Sequence, residues 1–225
     1  NEHMQTSVPD IYAVGDAVQV KHYVTGQAAL ISLAGPANKQ GRIVADHICG
    51  KNSSYPGSQG SSVIKAFDMT AAVTGVNETN AKKAGLNVDK VVLSPMSHAG
   101  YYPGGKVMTM KVVFEKETYR ILGAQIVGYE GVDKRIDVLA TAIHADMKAQ
   151  DLAKLDLAYA PPYSSAKDPV NLAGFMIENI SDGTLKQFHI EDVKNLPHDG
   201  SVTLLDTRTP GEYQRGHVDG FVNIP

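Results

Sequence analysis

The sequence predicts an α+β domain in the middle of the chain, with a shorter strand-and-helix segment on each side. Between residues 63 and 147, apolar and β-branched runs typical of at least four strands alternate with two helical patterns. Residues 50–62 are rich in Gly, Ser and Pro, which is typical of a surface loop or a boundary. The 225 residues correspond to about one and a half domains of roughly 150 residues each, and both ends look cut.

Composition restricts the class of protein. Apolar residues make up 43% and charged residues 20% of the chain, which is typical of a folded soluble protein. A net charge of −3 and a pI near 6.2 exclude a broadly basic protein that binds nucleic acid. No apolar run reaches the roughly 18 residues of a membrane span, so no membrane partner is expected.

Cys49 is the single cysteine, so no internal disulfide can form and no CxxC metal site is expected. A reducing, cytoplasmic compartment is the natural interpretation. Because the cysteine follows a predicted helix, whose C-terminal dipole disfavours a thiolate, we expect a small core residue.

The N-terminal segment predicts one strand and one helix. Ile11–Val14 is a short apolar run bounded by Pro and Gly, which indicates a buried strand. A helix is expected from about Gly26 to Ile48, where Pro36 either kinks it or marks a new start. Gly50 is expected to end that helix.

The central region supplies the predicted α+β domain. A first helix, Glu78–Ala84, is expected to be capped by Asn77 and ended by Gly85. A second helix, Asp133–Met147, has an apolar stripe at i, i+3, i+4 spacing, with Asp133 at the capping position. The predicted strands are Val63–Phe67, Met69–Val76, Lys90–Pro95, Val107–Phe114 and Ile121–Tyr129.

The C-terminal region begins with a rigid segment at Pro161 and Pro162, because each proline fixes φ. A helix is then expected from Asp168 to Asn179, with Asp168 as cap and a proline at the first position. A further helix near Ile190–Asn195 and an apolar strand, Val202–Leu205, follow a short linker. We therefore divide the chain into residues 1–50, a loop 51–61, a central domain 62–171, a linker 172–186 and a last segment 187–225.

A Gly-Asp pair follows the predicted N-terminal strand. A carboxylate at the end of a parallel strand lies where α/β sheets bind ligands, although the spacing by itself favours a Gly-Asp turn in which Asp16 caps the next helix. Thr6–Ala17 resembles the flavin motif T-x-x-x-x-[I/V]-[Y/F]-A-x-G-D-A of the pyridine nucleotide–disulfide oxidoreductases at all fixed positions. The resemblance implies that Gly15, Asp16 and Ala17 contact FAD, with Asp16 binding its ribityl chain.

Two tyrosine-rich stretches, residues 98–104 and 158–171, are candidates for an anion-binding site. A tyrosine hydroxyl with a pKa near 10 stays neutral and can donate a hydrogen bond to a thiolate. A lysine is a point charge suited to phosphate. The alternative is that the tyrosines pack at a subunit interface, where this residue is common.

Both stretches are similar to the coenzyme A-disulfide reductase subgroup, which includes fusions with a rhodanese domain. The resemblance implies a homodimer in which Tyr101 and Tyr159 reach the active site of the partner subunit, with Tyr102 as a competitor for the first position. It also implies that Lys167 contacts coenzyme A. Residues 36–42 resemble another coenzyme A-contacting stretch and add Asn38 and Lys39 as substrate-binding candidates, although a solvated helix start explains them equally well.

Residues 205–225 resemble the first half of a rhodanese domain, with the pattern D-x-R-x-x-x-E-[F/Y]-x-x-G-H-[I/V]-x-G-[A/F]-x-N-[I/L]-P. In that family Asp206, Arg208, Glu212 and His217 organise packing, and the persulfide-carrying cysteine lies on a later loop. We therefore assign none of these four residues to catalysis.

Together these resemblances imply an end of an α/β FAD-binding domain, an α+β dimerisation domain with an antiparallel sheet, and the start of an α/β rhodanese domain. The implied activity is FAD- and NAD(P)H-dependent reduction of coenzyme A disulfide, coenzyme A persulfide or polysulfide by a longer parent. The G-x-G-x-x-G fold, the nicotinamide domain and the redox cysteine are absent from these 225 residues. The alternatives are a flavin NADH oxidase or peroxidase of the same superfamily, and a non-catalytic dimerisation module.

Overall fold

The computed structural model describes all 225 residues, which form two units, Asn1–Thr184 and Leu185–Pro225. None of its helices has the length and apolar character that crossing a membrane requires. The first unit begins with a 3₁₀ turn at Gly15–Ala17 and a two-stranded antiparallel ribbon, β1 (Val20–Lys21) and β2 (Ala28–Ala29). Helix α1 (Ala34–Ile48) follows.

Two secondary-structure predictions for this segment are wrong. Ile11–Val14 is not a buried strand: its only ladder contact is a single bridge between Tyr12 and Gln5, and Ile11 is 53% exposed. A short apolar run forms a strand only when a neighbouring strand pairs with its backbone N–H and C=O groups. In this unit the run has one such bridge and no neighbouring strand. The helix starts at Ala34 instead of Gly26, because Pro36 suits a first helical turn and β2 occupies the preceding residues.

Cys49 is exposed, which contradicts the predicted core position. It is the C-cap residue of α1, where its backbone N–H donates to the carbonyl of Ala45. The side chain therefore leaves the helix at its solvent-facing end. The inference of burial from a small apolar side chain is wrong at this position.

The central sheet confirms the predicted α+β class. Its strands are antiparallel throughout, and their spatial order is β3-β4-β7-β6-β5. Helices α2, α3 and α4, whose bounds follow, begin within two residues of the capping positions that the sequence predicts. The bounds are β3 Ser62–Ala66, β4 Met69–Gly75, α2 Glu78–Lys83, β5 Val88–Leu93, β6 Thr109–Glu115, β7 Ile121–Gly128, α3 Val132–His144, a 3₁₀ helix Ala149–Lys154, and α4 Pro169–Ser181.

One face of the sheet packs against α3, α4 and the 3₁₀ helix to form the core. Its largest fully buried apolar side chains are Phe114, Met108, Met110, Ile121, Leu122, Ile126, Leu139, Leu152 and Ile177. Helix α4 comes close to the 3₁₀ helix at Gly174, where a Cβ would lie 2.2 Å from the backbone nitrogen of Ala153. Glycine is therefore required at this crossing.

Two of the three predicted helix caps are confirmed. The side chain of Asn77 accepts a hydrogen bond from Asn80 N, and Asp168 accepts one from Val170 N ahead of a first-position proline. The third prediction is wrong, because Gly131 occupies the N-cap of α3 and Asp133 lies inside the first turn. Gly131 has φ +67°, and a Cβ there would meet the guanidinium of Arg135, whose Nη1 donates to the Gly131 carbonyl at 3.1 Å.

A carboxylate on α2 joins three lysines of the first unit. Glu78 forms ion pairs with Lys82, Lys90 and Lys111, the first at 2.6 Å. Burial by itself raises the pKa of Glu78. The three ammonium groups lower that pKa by more than burial raises it, so the net pKa lies well below its usual 4.5.

Glu78→Gln should therefore lower the free energy of unfolding at pH 7, by about 1.5 kcal/mol for a lost charged hydrogen bond. A depressed carboxyl pKa stabilises the fold above its unfolded value and loses that effect as the pH falls. The difference between wild type and variant should thus be largest above pH 4.5 and shrink below it. Urea unfolding at pH 7 and at a pH below 4.5 measures this. A difference in unfolding free energy between wild type and variant that does not depend on pH would contradict it.

The second unit, residues 185–225, contains short elements only. A 3₁₀ helix, Ile190–Asn195, replaces the predicted helix at the same residues. Strands β8 (Leu205–Asp206) and β9 (Val222–Asn223) pair in parallel around α5 (Pro210–Arg215). The strand predicted at Val202–Leu205 thus begins three residues later than expected.

Candidate functional site

The hydroxyl oxygens of Tyr101 and Tyr159 lie 2.7 Å apart. Tyr101 stands on the loop between β5 and β6, and Tyr159 on the loop between the Ala149–Lys154 helix and α4. Their exposed fractions are 77% and 45%. The fold therefore brings two residues that are 58 positions apart into one hydrogen-bonded pair on the surface.

The hydrogen bond within this pair favours the neutral form of the Tyr159 hydroxyl. The hydrogen bond with the Tyr101 hydroxyl raises the pKa of Tyr159 above its ordinary value. One O–H donates within the pair, which leaves the other proton available for an external acceptor. The arrangement can therefore donate a hydrogen bond to an anion such as a thiolate.

Tyr102 takes a different place from its neighbour. Its ring stands edge-on to His98, with ring centroids 5.6 Å apart, and its exposed fraction is 43%. His98 is itself buried and its Nδ1 contacts the carbonyl of Ala99. The structure thus brings Tyr101, and not Tyr102, to Tyr159.

Lys167 lies on the same loop as Tyr159, one residue before the cap of α4. Its side chain is exposed, and Nζ lies 5.9 Å from the centre of the Phe175 ring. It forms no ion pair within the chain, so its charge is available to an anion from solution.

The Gly-Asp turn has the features that a sugar-alcohol ligand requires. Gly15 has φ +70°, and its N–H donates to the side-chain oxygen of Gln40 at 2.7 Å. Gln40 is only 1% exposed, so the turn is anchored to α1. Asp16 is exposed and makes no hydrogen bond within the chain, and Ala17 beside it is exposed too. These residues fit the flavin contact that the motif implies.

The structure separates the two candidates on α1. The side-chain nitrogen of Asn38 donates to the carbonyl of Ala34 along the helix at 2.9 Å, so this side chain is already engaged. Lys39 instead lines a cleft of about 830 Å³ together with Arg42, Tyr23 and His144. Arg42 was not identified from the sequence, although its i, i+3 spacing from Lys39 places both on one helix face.

A buried ion pair behind the tyrosine loops was also missed. Arg135 is 1% exposed, and its Nη2 lies 3.0 Å from a carboxylate oxygen of Asp168. The sequence identified Asp168 as a helix cap only, and Arg135 carried no signal because arginines are rarely buried.

In the second unit the four rhodanese-like residues organise a turn. Arg208 pairs with Asp206 and donates to the carbonyl of Gly216 at 2.9 Å. Glu212 closes the capping box of α5, and the ring of His217 stacks on Tyr213 at 3.8 Å. These contacts agree with a packing role for all four.

Two family comparisons agree with this architecture. Residues 61–169 match the dimerisation domain of the pyridine nucleotide-disulphide oxidoreductases, and residues 189–225 match the rhodanese-like domain. Residues 61–169 therefore form a dimerisation domain of the pyridine nucleotide-disulphide oxidoreductase type, and a rhodanese-like segment follows it.

The chain is similar to individual curated proteins over 76% to 78% of its length. The chain is 41% identical over 170 residues to the CoA-dependent NAD(P)H sulfur oxidoreductase of Pyrococcus abyssi, covering 76% of this chain and 38% of that protein. It is 37% identical over 176 residues to the coenzyme A disulfide reductase of Staphylococcus epidermidis, covering 78% and 40%. The chain thus spans about two fifths of the length of these relatives.

Solved structures show the same relationship. The reduced Bacillus anthracis CoADR-RHD superposes with a TM-score of 0.94 at 47% identity, covering 100% of this chain and 40% of the other. The NAD-dependent persulfide reductase from A. fulgidus gives 0.89 at 40% identity, with the same coverage. The water-forming NADH oxidase from Lactobacillus brevis gives 0.77 at 28% identity, covering 83% and 41%.

Proposed function

We propose that this chain is the C-terminal part of an FAD- and NAD(P)H-dependent reductase of coenzyme A disulfide, coenzyme A persulfide or a related polysulfide. The observation that carries the proposal is the exposed pair of Tyr101 and Tyr159 hydroxyls, 2.7 Å apart. Residues 1–50 would end the FAD-binding domain, residues 62–171 form the dimerisation domain and residues 187–225 begin a rhodanese domain that relays sulfur. A cytoplasmic location remains part of this proposal.

The tyrosine pair acts on the thiolate that leaves when a disulfide or persulfide is cleaved. A neutral hydroxyl donates to the developing sulfur anion and lowers its energy. Since hydrogen bonds to ionised acceptors are about twice as strong as neutral ones, the interaction strengthens as charge develops. The pair therefore favours the transition state over the neutral substrate.

A homodimer would place the pair of one subunit at the thiol site of the other. The sheet face opposite α3 and α4 supports assembly, because it exposes apolar side chains on four of its five strands. These are Ile64, Val73, Val92 and Val127, each between 41% and 65% exposed. Exposed apolar side chains that share one sheet face can mark an interaction surface.

FAD supplies the electrons when it is bound, and residues 15–17 are its contact in this chain. Asp16 accepts hydrogen bonds from ribityl hydroxyls, and the bare backbone of Gly15 allows close approach. Gln40 holds the turn in place through the Gly15 N–H.

The basic candidates would bind coenzyme A through its phosphates. Lys167 is unpaired within the chain and Lys39 lines the cleft beside α1, so both can act as point charges for phosphate. Asn38 is the weaker candidate because its amide already donates to Ala34.

An assay of NAD(P)H oxidation by the parent enzyme tests the activity. We expect coenzyme A disulfide or persulfide to drive the reaction far faster than dioxygen or peroxide. Oxidation driven by dioxygen alone would reject the proposal in favour of the oxidase alternative, whose solved relative is only 28% identical.

Asp16→Ala should lower the affinity for FAD about tenfold to a hundredfold. The estimate follows from the roughly 1.5–3 kcal/mol of a hydrogen bond to a charged group. The flavin absorbance that remains after gel filtration measures it. Asp16→Asn keeps one acceptor oxygen and should lose less flavin, whereas full retention by Asp16→Ala would remove Asp16 from the site.

A further inference from the structure

The tyrosine pair depends on two loops that are distant in sequence. Loop A, residues 94–108, joins β5 to β6 and carries Tyr101, while loop B, residues 155–168, precedes α4 and carries Tyr159. A backbone hydrogen bond from Ala99 N to the carbonyl of Ser164, at 2.9 Å, joins the loops directly. Both tyrosines are exposed, at 77% and 45%, so their 2.7 Å contact needs support from the residues that hold the two loops.

The guanidinium of Arg135, on α3, provides contacts to both loops from inside the domain. Its Nη2 donates to the carbonyl of Ser97 in loop A at 2.9 Å. The same nitrogen donates to the carbonyl of Tyr163 and to the Ser164 hydroxyl in loop B, at 3.3 and 3.2 Å. One buried group thus bridges the loops on either side of the Ala99–Ser164 bond.

A second set of contacts fixes the bridging group itself. Nε and Nη2 of Arg135 face the carboxylate of Asp168, which also accepts from the Ser164 hydroxyl at 2.7 Å. Nη1 donates to the carbonyl of Gly131 at 3.1 Å, which ties the guanidinium to the start of α3. Asn171 anchors the start of loop B by donating to the carbonyl of Leu155.

We propose that Arg135 is a positioning residue for the tyrosine pair. It holds loops A and B in one arrangement, so that the hydroxyls of Tyr101 and Tyr159 meet. The catalytic meaning of this arrangement rests on the proposed function, whereas the arrangement itself can be measured without any turnover.

Arginine suits this role better than lysine does. Its planar fork presents five N–H donors in fixed directions, and here they reach a carboxylate and carbonyls of α3, loop A and loop B together. A lysine ammonium has three donors on a flexible stem. It can retain the ion pair with Asp168 but cannot also span both loops.

The test measures the coupling between the two tyrosines in the whole 225-residue chain. Chains labelled with 3-fluorotyrosine are titrated by ¹⁹F NMR, and Tyr159→Phe identifies the signal of Tyr159. In the wild-type background, Tyr101→Phe should lower the pKa of Tyr159, because it removes the hydrogen-bonding hydroxyl. In the Arg135→Lys background, Tyr101→Phe should have no further effect, because the hydroxyls no longer meet.

Arg120→Lys is the matched control. It makes the same chemical change at an arginine that is only partly buried and whose Nη2 donates to the carbonyl of Val24 instead. Coupling should persist there. Undiminished coupling in Arg135→Lys would overturn the inference, whatever happens to turnover. Lost coupling with unchanged turnover would support Arg135 as a positioning residue and reject the proposed role of the tyrosines.

A second variant covers the case in which Arg135→Lys does not fold, as judged by near-ultraviolet circular dichroism. Ser164→Ala removes the hydroxyl that links Arg135 to Asp168 but keeps the carbonyl that binds Ala99. The coupling should weaken in this variant, and wild-type coupling in Ser164→Ala would then overturn the inference.

Discussion

Tyr159→Phe should lower the turnover of coenzyme A disulfide or persulfide by about a hundredfold in the parent enzyme. The figure follows from the loss of one hydrogen-bond donor at a developing anion, which costs about 10²–10³ in rate. The phenyl ring keeps the packing of loop B, and the flavin contact lies in another segment. Steady-state kinetics should therefore show a lower kcat, with flavin absorbance and the thermal unfolding temperature unchanged.

Tyr163→Phe is the matched control on the same loop. Its side chain is 72% exposed, and its hydroxyl makes no hydrogen bond within the chain. Tyr101→Phe should act like Tyr159→Phe, while Tyr102→Phe should not, because its ring lies against His98. Equal losses in the Tyr159 and Tyr163 variants, or none in either, would remove the hydroxyl pair from the mechanism.

Local signals in the sequence predicted most of the central domain. The strands alternate with turns at Gly and Asn, and the caps Asn77 and Asp168 act through atoms of their own turn. The tyrosine stretches were also recognised from their residues and resemblance. Their meeting at 2.7 Å follows from the fold, and no periodicity in either stretch indicates it.

The strand predicted at Ile11–Val14 and the burial of Arg135 depend on distant partners, whereas the cap of α3 depends on a residue one turn away. The run Ile11–Val14 has strand propensity but lacks a ladder in this unit. Gly131 displaces Asp133 from the cap of α3 because the left-handed backbone there accommodates Arg135. In the sequence, Arg135 occupies a polar position of an amphipathic helix. Its burial becomes apparent only in the fold, where loops A and B cover it.

Asp168→Ala should be the most destabilising substitution near the site, at about 3–5 kcal/mol, because it leaves the charge of Arg135 buried without a counterion. Burial raises the pKa of Asp168, but the Ser164 hydroxyl, the Val170 N–H and Arg135 lower it more, so the net pKa is below normal. The carboxylate is therefore ionised at pH 7, and its stabilising effect is lost as the pH falls through that lowered value.

Two variants separate the charge from the cap in urea unfolding experiments at pH 7. Asp168→Asn retains an oxygen that can accept from Val170 N, as capping requires, but removes the counterion of Arg135. It should lose most of the stability that Asp168→Ala loses. Asp151→Ala breaks the solvent-exposed pair with Lys154 and should change stability much less, because exposed ion pairs contribute little. If Asp168→Ala cost no more than Asp151→Ala, the buried pair would not stabilise the two loops, and the closeness of the tyrosine hydroxyls would need another source.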